Sequence, residues 1–304
     1  LVWGGNEYAW SSPTIRGRAC RRAALHPVPF PVQAGTAGPY DRSGCARSTT
    51  GSDRGAVGLE CGPMAYDTTV DEISDGIYRL STWLEGAGLV FNQYLLDADE
   101  PLLFHTGQRA LFADVSAAVA SVVPLDRLRW IAFGHLESDE CGAMNEFLAA
   151  APKSQVVGSH MANILSLFDL CDRPPHSMSD GELLDLGGKR VRMLDTPHVP
   201  HGWDAHLLYE EETGALLCGD LFTALGKGPA VTDGDVVGPA AAAEDLFGAT
   251  CLTPTTAPTI RGLADLGATT LALMHGPAFT GDCGAALHDL ADDYDRRLTA
   301  ALQT

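Results

Sequence analysis

No apolar run in this chain of 304 residues reaches the roughly 18 that a membrane-spanning helix needs, so no segment reads as a transmembrane element. Cations are scarce: 20 Lys and Arg stand against 39 Asp and Glu, a net charge of −19. A surface of that sign repels phosphate backbones and anionic membranes, which excludes nucleic acid as a partner. Neither a GxGxxG nor a GxxxxGK[ST] stretch occurs, so a nucleotide-phosphate cradle lacks its residues. There is no CxxC pair among the eight cysteines, and no internal repeat or coiled-coil heptad. A secretory signal is not expected. No apolar core of suitable length follows Arg21–Arg22, and AALHPVPFPV is too short and too rich in proline for a twin-arginine signal. Scattered thiols without a signal suggest a reducing cytoplasm and free, mostly buried cysteines. Of these, Cys141 is of interest for what lies beside it.

What is there describes a globular protein with 45% hydrophobic residues, long enough for one large core. The charge is uneven. Residues 1–63 hold seven Arg, no Lys and four acids, while residues 64–304 carry the whole negative surplus. The first segment is rich in Gly, Pro, Ser and Arg and shows neither helical nor strand period. It reads as a disordered leader, or as an over-extended reading frame upstream of a start at Met64, leaving 64–304 as the folded domain. From about residue 73 the pattern becomes regular. IYRLSTW (77–83), GLVFNQYLL (88–96), PLLFHTG (101–107), RWIAF (129–133) and SQVVGS (154–159) read as strands. QRALFADVSAAVASVV sets Leu111, Phe112, Val115, Val119 and Val122 on one helical stripe, and GAMNEFLAAA reads as a second helix. DRPPHSMSDGE is loop-like. KRVRMLDT, AHLLYEE and ALLCGD read as strands, residues 226–240 as a loop, and PTIRGLADLG as a short helix. TTLALM (269–274) is a strand, and a closing helix over about 285–302 has Leu287, Leu290, Tyr294, Leu298 and Leu302 on its apolar side. Strands interleaved with helices in two β-rich halves predict an αββα four-layer sandwich.

The densest chemistry lies in FGHLESDECGAMNEF (133–147), where His135, Glu137 and Asp139 alternate and Glu140 follows. Alone, such a run is a solvated acidic loop with a stray histidine. Three other strand exits supply matching groups: His198 and His201 in DTPHVPHGWD, Asp220 in LLCGDLF, and His275 in TTLALMHGP. An acid just past a buried strand is costly unless something compensates its lost hydration, and a metal ion does so. Strand ends along one edge of a sandwich converge in space, so residues far apart in sequence can meet there.

The ordered set His135-x-Glu137-x-Asp139, His201, Asp220 and His275 resembles the metallo-β-lactamase fold superfamily over about residues 70–304. Hydrolytic members carry a histidine where this chain has Glu137. A glutamate there is similar to the flavodiiron branch, including its stand-alone oxygen-binding diiron proteins. The chemistry agrees: iron that cycles between ferrous and ferric prefers anionic oxygen donors mixed with imidazole, whereas zinc hydrolases are content with histidine-rich sites. The resemblance implies two iron ions, one held by His135, Glu137 and His201, the other by Asp139 and His275, with Asp220 bridging. Zinc is the alternative. The family pattern reads HxExDH, and this chain has Glu140 in place of the second histidine, so Glu140 is either a harder ligand or turned to solvent. His198 is expected to be a pocket residue that orients a ligand or donates a proton. His105 and His206 read as packed structural residues, His160, His176 and His288 have no supporting context, and Trp203, Tyr94 and Phe222 read as core more than as pocket lining.

The implied activity is reduction of dioxygen or nitric oxide. In the flavodiiron enzymes electrons arrive through FMN on a flavodoxin-like domain that follows the lactamase-like one. This chain ends at Thr304, so the expectation is no FMN domain and an external donor, a flavoprotein or a rubredoxin-like protein. Family members pair head to tail to bring flavin to iron. That reason for a homodimer is absent here, and oligomeric state stays open. The competing functions are an oxygen sensor without turnover and a metal-dependent hydrolase of a thioester, lactone or phosphodiester, since fold does not fix function.

Overall fold

The computed structural model describes residues 66–303; the segment 1–63, read from sequence as a leader, lies outside them. One compact unit runs Met64–Thr304. It is built on two seven-stranded sheets. The first contains, in spatial order, β1 (Thr68–Ser74), β2 (Ile77–Leu84), β3 (Leu89–Leu96), β4 (Leu102–Phe104), β5 (Trp130–Ala132), β6 (Gln155–Ser159) and β7 (His176–Met178). The second contains β8 (Leu183–Asp185), β9 (Arg190–Asp195), β10 (His206–Glu210), β11 (Ala215–Leu217), β12 (Val231–Thr232), β13 (Thr270–Ala272) and β14 (Ala278–Phe279), in the order β12-β14-β13-β11-β10-β9-β8.

Helices α1 (Phe112–Val122), α2 (Ser138–Cys141), α3 (Met144–Ala150), α4 (His160–Ala162) and α5 (Phe168–Leu170) belong to the first half. Helices α6 (Val237–Phe247), α7 (Thr256–Ala264) and α8 (Cys283–Gln303) belong to the second. Three apolar cores show the layering. Leu111 just before α1, Val115 and Val119 of α1 and Phe147 of α3 pack on Leu80, Leu95 and Ile131 of the first sheet. Tyr94, Phe104 and Trp130 meet Met193, Leu208 and Leu217 between the sheets. Ile260 of α7 and Leu287 and Leu290 of α8 cover Leu216 and Leu271 of the second sheet. An αββα sandwich follows, because each strand's alternating side chains serve a core on either face.

The antiparallel strands β1 to β4 change to parallel pairing at β4–β5 and β5–β6, and β11–β13 is also parallel. Parallel strands need crossovers, so β4, β5 and β11 end on loops that run into or past helices. These loops carry His135, Glu137, Asp139 and Asp220, while His201 lies on the β9–β10 loop and His275 on the short β13–β14 loop. Several elements differ from the sequence reading. The edge strand β1 has no strand signal in its sequence, because TTVDEIS is mostly polar and buries only Ile73. β7 lies inside the polar 172–182 stretch. Helix α6 begins inside the expected 226–240 loop, with Pro239 in its first turn, where no backbone donor is needed. Leu302 is 78% exposed rather than on the packed side of α8. Among the described residues no helix is long and apolar enough to cross a membrane.

Candidate metal centre

His135 lies three residues past the buried strand β5, and Glu137 and Asp139 follow at the start of α2. His201 sits in the 196–205 loop, closed by Thr196 N–H to the Ala205 carbonyl (3.0 Å) and His198 N–H to the Gly202 carbonyl (2.7 Å). Gly202 has φ +85°, a conformation in which side chains are strained, and a Cβ there would stand 3.4 Å from His135 Cβ and 3.6 Å from its ring. Leu136 N–H donates to Asp204 Oδ2 at 2.9 Å and so ties the two loops together. Asp220 follows β11, and its carbonyl accepts from Thr223 Oγ1 at 2.8 Å. His275 follows β13, with Nδ1 2.8 Å from the Val90 carbonyl, so that Nε2 faces inward. The chain around His275 is pinned by buried polar groups of the first sheet. Asn92 Nδ2 donates to the Leu273 and Gly276 carbonyls, Tyr94 Oη to Leu273 and Arg79 to Gly276.

These loops bring the expected ligands together in two sets. His135, Glu137, His201 and Asp220 each offer one donor atom, all within 4.8 Å of one another. His135 Nε2 is 3.7 Å from Glu137 Oε2 and 3.7 Å from Asp220 Oδ2. His201 Nε2 is 3.6 Å from Glu137 Oε1 and 3.3 Å from Asp220 Oδ2. In the second set, His275 Nε2 is 3.4 Å from Asp139 Oδ2 and 3.4 Å from Asp220 Oδ1. Asp220 therefore turns one oxygen to each set. Separations of this size are long for hydrogen bonds, but two donors each about 2.1 Å from a shared ion stand about 3–4 Å apart. His135 Nε2 and Asp220 Oδ1 are buried and have no hydrogen-bond partner, which a cation would remedy. The residues present fit a pair of metal ions.

The electrostatics point the same way. Glu137, Asp139, Asp220 and the buried Glu140 crowd four carboxylates around three imidazoles, matching the charge of two divalent cations. Burial opposes the charge on Asp220, yet His201, His275 and His135 hold its pKa well below the usual carboxylate range. Burial likewise opposes a charged His135, but Glu140 and Glu137 push it up to about 12; Asp139 and Asp220 outweigh burial at His275 and push it up to about 10. Metal uptake must therefore displace protons. Burial, followed by Glu140, pushes the Cys141 thiol up to about 12, so it stays protonated beside the cluster.

Two expectations are corrected. Glu140 faces neither ion position: its Oε2 accepts from the His135 N–H at 2.6 Å and its Oε1 lies 3.2 Å from His135 Nδ1. Consecutive helical residues point about 100° apart, so in α2 Asp139 faces the cluster and Glu140 faces the interior. His198 is exposed, with φ +67°, and does not line the cavity. His206 is packed as expected, its Nδ1 2.9 Å from the Asp204 carbonyl. His105 is more than a packed residue, because its Nε2 lies 3.4 Å from Glu140 Oε1. Nothing in FHTG signals that contact. Tyr94 and Phe222 are core, and Trp203 is 56% exposed.

A cavity of about 240 Å³ opens over the cluster. Beyond Glu137, Asp139, His201, Asp220 and His275 it is walled by Leu89, Pro200, Ala240, Ala243, Phe247 and Tyr294. Glu244 is its other charged residue, held by Thr250 N–H at 3.2 Å and Thr250 Oγ1 at 2.9 Å. No Lys or Arg is among the lining residues.

Residues 89–237 match the family model described as ODP family beta lactamase. Over 139 residues the chain is 28% identical to the anaerobic nitric oxide reductase flavorubredoxin of Pectobacterium carotovorum, covering 44% of this chain and 27% of that one. It is 25% identical over 141 residues to the rubredoxin-oxygen oxidoreductase of Megalodesulfovibrio gigas, covering 46% and 35%. The matches thus span about a quarter to a third of those relatives' lengths. Among solved structures, the 1–254 fragment of the putative diflavin flavoprotein A 5 of Nostoc superposes with a TM-score of 0.66 at 19% identity, over 79% of this chain and 100% of the fragment.

Proposed function

We propose that this chain, which carries the metallo-β-lactamase-fold domain of the flavodiiron proteins, holds two iron ions and reduces dioxygen or nitric oxide. Electrons come from a donor outside the described domain, a flavoprotein or a rubredoxin-like protein. The observation that carries this reading is Asp220, whose Oδ2 faces the His135/Glu137/His201 set while its Oδ1 faces His275 and Asp139. A ferrous pair held by His135, Glu137, His201, Asp139, His275 and Asp220 would supply electrons jointly to one diatomic molecule. Glu137 adds an anionic oxygen where hydrolytic relatives have imidazole, which favours ferric iron.

The remaining roles belong to the chain's own side chains. Asp220 keeps the two ions together, and His275 is aimed by Val90, Asn92 and Tyr94. Leu89, Ala240, Ala243 and Phe247 give the approach an apolar wall. A cavity whose charged groups are carboxylates and imidazoles, with no Lys or Arg, suits a small neutral substrate and disfavours an anionic one. That counts against a phosphodiester. The cavity has room well beyond one diatomic molecule, and this favours, as a second reading, hydrolysis of a neutral lactone or thioester by a zinc pair. Gas-electrode measurements on the reduced protein with a chemical reductant separate the readings. Sustained consumption of oxygen or nitric oxide supports the reductase, a single stoichiometric burst makes the protein a binder, and ester turnover without gas consumption makes it a hydrolase.

A further inference from the structure

We propose that Glu140 is a positioning residue of the metal centre and not one of its ligands: it holds the His135 ring and backbone so that Nε2 is presented to the ion shared with Glu137, His201 and Asp220. This deepens the diiron reading and rests on it for the identity of the metal alone. Glu140 has no exposed surface. One carboxylate oxygen accepts from the backbone N–H of His135 at 2.6 Å, and the other lies 3.2 Å from Nδ1 of the same ring. The two nitrogens of an imidazole point in different directions, so a carboxylate against Nδ1 is remote from an ion at Nε2. Residue 134 shows how closely the carboxylate is seated. A Cβ at Gly134 would lie 3.2 and 3.3 Å from the two Glu140 oxygens, so any larger residue there presses on the acid.

His105 closes the far end. It is fully buried with φ +67°, its Nε2 lies 3.4 Å from Glu140 Oε1 and its Nδ1 lies 3.3 Å from the Asn92 carbonyl. The result is a buried row, His105–Glu140–His135, ending at the cluster. A carboxylate on Nδ1 fixes the tautomer of a ligating histidine and strengthens the donor at Nε2. The ion on the other side is then left with Asp139, Asp220 and His275 as its side-chain donors among the described residues.

The test is cobalt(II) titration of metal-stripped protein under nitrogen, followed by visible absorption, for the wild type, Glu140→Gln, Gly134→Ala and His135→Ala. Glu140→Gln keeps the shape and removes the charge, and Gly134→Ala displaces the acid without changing it. Both are expected to bind two cobalt ions per chain, with one of the two dissociation constants raised about 10–100-fold. The weakened site should be the one that His135→Ala abolishes. In proton NMR of the cobalt protein, the exchangeable, shifted Nδ1–H signal of His135 should broaden in Glu140→Gln and persist in the wild type, a change that mere packing would not produce. If Glu140→Gln loses one cobalt ion outright while the other binds as before, Glu140 is a ligand of the second ion and the proposal is overturned. Two unchanged constants in both variants also overturn it. Cobalt reports on Glu140 whichever metal is native, so failure of the iron assignment would show elsewhere and leave this result readable.

Discussion

Replacing Asp220 with asparagine removes one negative charge and one ligand oxygen while keeping the shape of the side chain. Asp220 is nearly buried, with 12% of its side chain exposed, and its two oxygens lie 3.3 Å from His201 Nε2 and 3.4 Å from His275 Nε2. An amide nitrogen is no ligand for a divalent cation, so at least one ion loses its donor outright and both lose the shared anion. Breaking a buried charge pair from one side costs about 3–5 kcal/mol, which is roughly two to three and a half powers of ten in affinity. At a free metal concentration 100 times the wild-type dissociation constant, each occupied site stabilises the fold by about 2.7 kcal/mol. A hundredfold or greater loss of affinity reduces that to about 0.4 kcal/mol or less. The assay is the difference in melting temperature with and without metal, paired with ions bound per chain by equilibrium dialysis. The wild type should show a clear metal-dependent rise, and Asp220→Asn little of it, with neither ion firmly retained. Two ions held by Asp220→Asn at wild-type affinity would refute the bridging role.

His275→Ala should lower the metal content from two ions to one per chain, because His135, Glu137 and His201 still face Asp220 Oδ2; elemental analysis after gel filtration checks this. Tyr94→Phe removes the 2.7 Å bond to the Leu273 carbonyl in the buried frame behind His275. It should cost about 1–2 kcal/mol of stability by chemical denaturation while leaving metal stoichiometry intact. Ala243→Phe fills part of the cavity wall formed by α6. It should slow gas consumption several-fold at unchanged metal content, and an unchanged rate would mean that the substrate approaches by another route.

Much of this architecture could be read from sequence, for identifiable physical reasons. Strands such as GLVFNQYLL are buried on both faces and so appear as long apolar runs. The α1 stripe packs where its period places it, with Leu111, Val115 and Val119 buried. What escaped reading gets its order from elsewhere. β1 takes its conformation from pairing with β2 rather than from its own alternation. β7 is held by parallel pairing to β6 through residues of no strand preference. Helix α6, VGPAAAAEDLF, offers mostly alanine as its buried face, and alanine marks neither a core nor a surface. Leu302 lies at the far end of α8, where its side chain is left exposed.

At the site, the candidate residues stand out because a histidine or carboxylate at the exit of a buried strand is costly without a cation, while their division between two ions is what the family resemblance implies. The directions of the side chains could not be read. Whether Asp139 or Glu140 faces the ions depends on where the first turn of α2 begins, a matter of one residue. His105 gave no signal, since its partner lies 35 positions later and is itself an unusual residue for that place. His198, expected in the pocket because it stands three residues from His201, is exposed with φ +67° and does not line the cavity.

The central claim is two iron ions sharing Asp220, and the most direct test is elemental analysis of protein purified without oxygen, with its visible spectrum recorded on exposure to air. Close to two irons per chain and the rise of a ferric–oxo absorption band are the expected result. Zinc in place of iron, or a single ion per chain, with no spectral change in air, would contradict it.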